Sequence, residues 1–592
     1  MHLFKAILRF LIVIYWGCGF AAFYPPVAAT GGMVVSDHYL ASAVGAQVLK
    51  QGGNAMDAAV AVGYALAVVH PCCGNIGGGG FMLIHWHTGE NIVLDFREVA
   101  PQNIRSDLFF EKNGELKSKK ELGYLLVAVP GTVMGLNTAL KKYGTWSLQK
   151  AMTPAVQLAQ QGFVLNDYDV KNLNRLANER ELPGHLRAIF RPNGHFLRSG
   201  QRLIQEDLAR TLQSIRQGGT EEFYQGDIAK KIVAQSDKDH GVLSLEDFKN
   251  YHIVWRKPIH CHYRGYTILT APPPSAGVAI CEILEIVEGF SMGALGFHSA
   301  AAVRINAAAM KQAFYDRNHY LGDPQFVHNP LHWLLAQKRI RKIQRCIRKI
   351  DVVNPEKFGQ SRHDPMYTTH FVVMDHAKNV VNTTYTINSF YGAMRMADDT
   401  GFFLNDELHD FALRKNRPNI FMLVQGKANL IRPGKRPLSS MSPTLVMRGK
   451  QFYMALGAAG GPTIITTIAQ AIENVIDFGM NIRAANDSAR YHMQWKPDVI
   501  YWEPYGFSPD TVERLKGMGY ILRQNLFDRY LYWGQLNSLS SEPNGIILGA
   551  SDNRLPNGSA VGVRPPSIGY RLKAKTFATA KAQILKIRQR RS

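Results

Sequence analysis

Thr368, Thr384 and Thr386, followed by Asn388, are the residues of this chain whose types and spacing could do acyl chemistry. Two β-branched runs, His370 to Met374 and Val380 to Ile387, flank a short polar turn with Asn379 and predict a β-hairpin. Thr384, Thr386 and Asn388 are spaced two apart, so one strand face presents hydroxyl, hydroxyl and amide. Threonines chosen for strand propensity would give the same face, and the hairpin alone does not decide between the two readings.

The order Thr-Thr-His, a turn, then Thr-Tyr-Thr-Ile-Asn and an aromatic-Gly end resembles the signature of the γ-glutamyltransferase family, among the N-terminal-nucleophile hydrolases. The resemblance implies self-cleavage between Tyr367 and Thr368, which makes Thr368 the amino terminus of a small subunit. A threonine hydroxyl is a weak nucleophile that needs a base beside it, and a terminal α-amine with a pKa of roughly 7.7 to 8.0 can serve.

Further motifs extend the likeness from about Ser36 to Gly562. Leu94-Asp95-Phe96-Arg97-Glu98 places Arg97 where the family binds a substrate α-carboxylate, a task suited to the two parallel donors of a guanidinium. A local pair with Asp95 or Glu98 is the simpler role for that arginine. Asn405 to Phe411 resembles the segment that binds the α-amino group, through Glu407 and Asp410; an exposed acidic turn is the alternative. Ser439 and Ser440, in Arg-Pro-Leu-Ser-Ser-Met-Ser-Pro, match the paired serines on the carboxylate, although paired serines also cap turns. Gly460 and Gly461 match the oxyanion-stabilising pair, and Lys415 to Gly426 a lid loop with an aromatic near Phe421. The resemblance also implies that Thr386 hydrogen-bonds the nucleophile and that Asn388 helps fix the glutamyl group. Val372, Lys378 and Asn382 depart from the family's small residues and glycine in the hairpin.

Positioning these groups requires elements that the sequence also announces. Ala41 to Leu49 and Ala55 to Val69 read as helices, the second so poor in charge that it is expected to be buried on most sides. Gly74 to Gly80 reads as a tight turn, since no Gly-Lys-Ser/Thr ending supports a phosphate loop. A helix from Thr463 to Ile476 should follow the Gly460-Gly461 junction. Lys338 to Lys349 carries seven basic residues with isoleucines at helical spacing, which predicts an amphipathic helix with a solvated basic face. Pro355 to Met366 reads as an irregular linker into Thr368.

Composition bounds the rest. With 46% hydrophobic and 19% charged residues among 592, a large core is expected. Lys5 and Arg9 precede an apolar run to about Phe23, and Val27-Ala28-Ala29 offers a cleavage point: a secretory leader over 1–29, or an anchor if uncleaved. Five of the six cysteines lie beyond it, two of them adjacent, which does not read as a disulfide framework. His260-Cys261-His262 is better explained by strand alternation than by a metal, and no metal or cofactor is expected. The net charge of +22, with eight basic residues from Arg571 to Arg591, suggests contact with an anionic surface such as lipid headgroups or polyanionic envelope material, a solvated tail with no partner being the simpler reading; no nucleic-acid motif is present.

The resemblance therefore implies an α+β fold, a four-layer αββα sandwich, with a large subunit over 30–367 and a small one over 368–592. It implies attack on γ-glutamyl compounds such as glutathione and transfer to water, an amino acid or a dipeptide; the leader read above would place this in the periplasm or outside the cell. A cephalosporin or glutaryl acylase, a poly-γ-glutamate transferase and a non-catalytic basic envelope-binding protein remain the alternatives.

Overall fold

The computed structural model describes residues 24–177, 186, 189–349, 368–524 and 533–565. Tyr367, most of the leader, the Pro355 to Met366 linker and the basic tail lie outside the described residues.

Two seven-stranded antiparallel sheets form the centre. One runs Ser559–Val563, Gly32–Ser36, Thr369–Met374, Val380–Thr386, Gly79–His85, Asn91–Phe96, Val254–Arg256. The other runs Val27–Ala29, Ile547–Ser551, Gln535–Ser541, Gln451–Ala459, Thr444–Arg448, Tyr266–Thr270, Ile259–Tyr263. Both faces of the first sheet are buried, so its strands alternate between two cores rather than between core and water. Val34, Phe371 and Val373 join the core that contains helix Ala55–Val69, while Met33, Val35, Val372 and Met374 join a second core with Leu456 and Leu536 of the other sheet. Helices Gly277–Glu288, Ala300–Tyr320 and Thr463–Ile476 also contribute to that second core. The result is the expected αββα sandwich. Strands from before and after Thr368 are hydrogen-bonded neighbours: Thr369–Met374 pairs with Gly32–Ser36, and Val380–Thr386 with Gly79–His85. Val27–Ala29, the last residues of the expected leader, pair with Ile547 to Gly549 at a sheet edge.

The predicted hairpin forms with His370 opposite Thr384 and Met374 opposite Val380. Its far end is anchored by Asp375, whose carboxylate accepts the N–H of Asn379 at 3.0 Å and that of Ala55 at 2.9 Å, the first residue of the buried helix. That helix starts with a reciprocal cap in which Asn54 accepts from Asp57 and Asp57 accepts from Asn54. The residues that departed from the family pattern have physical roles. Lys378 takes the left-handed turn conformation, φ +71°, and its Nζ donates to the Gly545 carbonyl at 3.2 Å. Asn382 donates to the carbonyls of Thr444 at 3.0 Å and Leu456 at 3.1 Å, joining the two sheets through their shared core.

The glycine-rich stretch is more than a turn, because a Cβ on Gly78 would come within 1.9 Å of the Thr386 carbonyl. The glycines let that backbone lie directly on the hairpin. The cysteine expectation is corrected: disulfides join Cys72 to Cys73 and Cys261 to Cys281, leaving Cys346 free and exposed among the described residues. Strand alternation at 259–263 holds, with His260 and His262 outward and Cys261 inward toward helix Gly277–Glu288. The basic helix spans Gln337–Lys349 and buries Ile340, Gln344 and Ile347, leaving most of its cations in solvent.

Candidate active site

Thr368 stands immediately before its strand and is almost wholly buried. Its neighbourhood is fixed by a polar network that the sequence did not reveal. Asp37, at the end of Gly32–Ser36, accepts the N–H of His370 at 3.1 Å, and the Asn537 amide bridges Asp37 and the His370 carbonyl. Burial pushes the Asp37 carboxyl up to about 8, against those hydrogen bonds. The His370 imidazole lies 2.8 Å from the Thr384 hydroxyl, and burial lowers it to about 3, so it is neutral. Thr384 thus serves the ring of His370 rather than facing substrate, and it does not line the site cavity.

Thr386 and Asn388 do line that cavity together with Thr368. Asn388 sits at φ +76°, a region asparagine tolerates, with its N–H on the Thr386 hydroxyl at 2.8 Å and its amide on the Asp406 carbonyl at 3.1 Å. Asp406 is buried, but Lys119 at 3.1 Å, together with His409, more than offsets the desolvation and holds it ionised.

Arg97 is wholly buried and faces three carboxylates: Glu407 at 2.6 Å, Glu98 at 3.1 Å, and Asp410. Its Nε also donates to the Pro437 carbonyl at 3.2 Å. Burial opposes its charge, and the attraction of Glu407, Glu98 and Asp410 more than compensates, so it stays protonated. The three acids are all shifted upward, by burial first, with Arg97 pulling the other way. Although Glu407 lies in ion-pair range of Arg97, neither of its oxygens has a well-aligned hydrogen-bond donor. The local Arg97–Glu98 pair exists, then, but as part of a buried cluster that also recruits Glu407 and Asp410 from 310 and 313 residues away in sequence.

Ser439 and Ser440 reach the same cavity from the other sheet, the Ser439 N–H donating to the Pro274 carbonyl at 2.7 Å. Gly461 lines it as well; Gly460 stands next to it at φ +121°, where a Cβ would meet the Thr463 hydroxyl at 2.6 Å. Both glycines have positive φ and immediately precede Pro462 and helix Thr463–Ile476, which puts Gly461 at the cavity beside a helix N-terminus. Phe421 closes one wall, on a loop folded back through the Asn419 N–H to Leu423 carbonyl bond at 3.1 Å.

Of the residues singled out from sequence, Thr368, Thr386, Arg97, Asn388, Asp410, Ser439, Ser440 and Gly461 line one cavity; Glu407 lies behind Arg97 and Gly460 beside Gly461. Sequence reasoning missed Arg317, Asn419 and Asp37. Arg317 is buried within the otherwise Ala-rich helix Ala300–Tyr320, and a lone basic residue on the inward side of such a helix was the available signal.

The γ-glutamyltranspeptidase family model matches residues 41–562. The chain is 46% identical over 510 residues to the glutathione hydrolase proenzyme of Pseudomonas sp. (strain A14), covering 84% of this chain and 88% of that protein. To the glutathione hydrolase proenzyme of Escherichia coli (strain K12) it is 42% identical over 543 residues, 90% of this chain and 92% of the relative. The crystal structure of cephalosporin acylase from Bacillus halodurans superposes with a TM-score of 0.81 at 26% identity, covering 92% of this chain and 98% of that one. The chain belongs to the γ-glutamyltranspeptidase family.

Proposed function

We propose that this chain is a self-processing γ-glutamyltransferase and glutathione hydrolase whose nucleophile is the Thr368 hydroxyl. The observation that carries the reading is the single cavity in which Thr368 meets a guanidinium, buried carboxylates and a paired-serine turn. In the precursor the Thr368 hydroxyl attacks the Tyr367 carbonyl, the C–N bond breaks to leave an ester and the free α-amine of Thr368, and water then opens the ester to release the Tyr367 carboxylate and restore the hydroxyl. That amine then takes the hydroxyl proton as the hydroxyl attacks a γ-glutamyl carbonyl. The N–H groups of Gly460 and Gly461 stabilise the oxyanion. The leaving amine accepts the proton, and the γ-glutamyl ester on Thr368 passes to water or to an amino acid or dipeptide. The substrate ammonium sits against Glu407 and Asp410, its α-carboxylate against Arg97, Ser439 and Ser440, and Asn388 and Thr386 hold the reacting end. The route uses no metal or cofactor.

The cavity measures about 20 Å³, the space of a single water, and lies between Phe421 on one wall and the Arg97–Asp410 pair on another. Relatives named as proenzymes support the cleavage step. The likeness to a cephalosporin acylase favours a second reading as an acylase, in which an α-amino anchor is superfluous. Two disulfides among the described residues, with the leader, support export to the periplasm or beyond. The exposed cations of Gln337–Lys349 support contact with an anionic envelope surface.

Purified protein is expected to hydrolyse glutathione and γ-glutamyl-p-nitroanilide, with Thr368→Ala inactive. Hydrolysis of glutaryl-p-nitroanilide with no action on γ-glutamyl amides would replace this reading by the acylase one.

A further inference from the structure

Arg317 and Arg97 line the same cavity in opposite electrostatic situations. Arg97 has three carboxylates around it. Arg317 is only 1% exposed, yet among the described residues no carboxylate lies within ion-pair distance of it. Its Nη1 donates to the Asn318 side chain at 2.9 Å, and its Nη2 to the Ser439 carbonyl at 3.1 Å and the Ser440 hydroxyl at 3.3 Å. The Nε–H is buried and has no acceptor. Burial draws the guanidinium down to about 10, with the more distant Asp410 opposing that shift and Arg97 adding to it.

A buried cation without a counter-ion and with an idle donor is costly unless an anion arrives. An incoming carboxylate also meets repulsion at Arg97, whose surroundings are already rich in negative charge. Sharing that carboxylate with a second cation removes the conflict. We propose that Arg317 is a second specificity-determining residue for the substrate, its unpaired Nε–H taking one oxygen of the α-carboxylate while its Nη2 aims the Ser440 hydroxyl at the same group. Arg97 and Arg317 then share the α-carboxylate, Arg97 also tethering the amino-binding acids and Arg317 supplying the positive charge that no carboxylate of the protein offsets.

The inference rests on the γ-glutamyl reading above, and two substrates separate the two. γ-Glutamyl-p-nitroanilide carries the α-carboxylate, and 4-aminobutanoyl-p-nitroanilide is the same molecule without it. Arg317→Gln should lower kcat/KM for the first about 10- to 100-fold, the effect of one charged hydrogen bond, and change the second by less than about twofold. Arg317→Lys keeps the buried charge as a point donor and should fold if the glutamine variant does not; it should show an intermediate loss on the first substrate only. Appearance of the fragment beginning Thr-Thr-His-Phe shows that each variant has folded and matured. Equal losses on both substrates, or no loss on the first, would overturn the role of Arg317 while leaving the γ-glutamyl reading intact. A mature wild-type protein inactive on both would overturn the γ-glutamyl reading and this inference with it.

Discussion

Asp410→Asn isolates the charge that distinguishes an amino-acid site from a plain acyl site. The side chain keeps its shape, and its carbonyl oxygen can still accept from Arg97, so the cluster loses a charge with little change in packing. Asp410 is paired with Arg97, and its backbone carbonyl is separately held by the Asn429 amide at 2.8 Å, which keeps the turn in place. In the wild type Glu98, Glu407 and Asp410 crowd around the single guanidinium of Arg97, an acid-rich cluster that suits an incoming ammonium; the variant removes one of those acids. Losing one charged hydrogen bond to that ammonium costs about 1.5 to 3 kcal/mol, or about a 10- to 150-fold loss in kcat/KM for γ-glutamyl-p-nitroanilide. Glutaryl-p-nitroanilide, which has no α-amino group, should not suffer; removing a carboxylate from its path should leave its kcat/KM equal or higher. Steady-state release of p-nitroaniline from both substrates measures the difference. Equal losses on the two would mean that Asp410 maintains structure without meeting an ammonium, and the assignment of the amino-binding side would fail.

Asp37 gives a pH prediction. Its folded carboxyl titrates at about 8 against an ordinary 3.8, so between those values the native state keeps a proton that the unfolded chain has released, and stability falls as pH rises through that window. Asp37→Asn should flatten that slope, worth at most roughly 6 kcal/mol over the whole window and roughly 4 kcal/mol between pH 5 and pH 8, in denaturant midpoints compared at those two pH values; parallel profiles would contradict the assignment. Asn382→Ala leaves the Thr444 and Leu456 carbonyls without their buried donor, and urea unfolding should show a loss of about 2 to 4 kcal/mol. Replacing Cys261 and Cys281 together by serine opens a loop of 20-residue separation and should lower stability by about 3 kcal/mol, visible as a lower melting temperature that the reduced wild type reproduces.

Much of this architecture is written locally. Strand alternation in the 370–387 hairpin, the charge-poor run at 55–69 and the Gly460-Gly461 junction before Thr463 each follow from short-range chemistry, and their boundaries agree with the structure to within one residue. What sequence could not supply was pairing across distance. Nothing in a 20-residue separation says that a strand cysteine meets a helix cysteine at Cys261 and Cys281. Asp37 gains its role only because Gly32–Ser36 lies beside Thr369–Met374 and Asn537 arrives from the other sheet. Arg317 sits on a helix with a structural reason of its own, and its idle N–H becomes visible only when Ser439 and Ser440 are in place. The hairpin departures were legible as departures, but the sheet-bridging bonds of Asn382 and the turn conformation of Lys378 required the folded neighbours.

Intact mass and amino-terminal sequencing of the purified protein beside a Thr368→Ala variant test the central claim most directly. The account predicts a wild-type fragment beginning Thr-Thr-His-Phe and a variant that stays whole; a folded wild type that remains one chain would leave Thr368 without a free amine and contradict the mechanism.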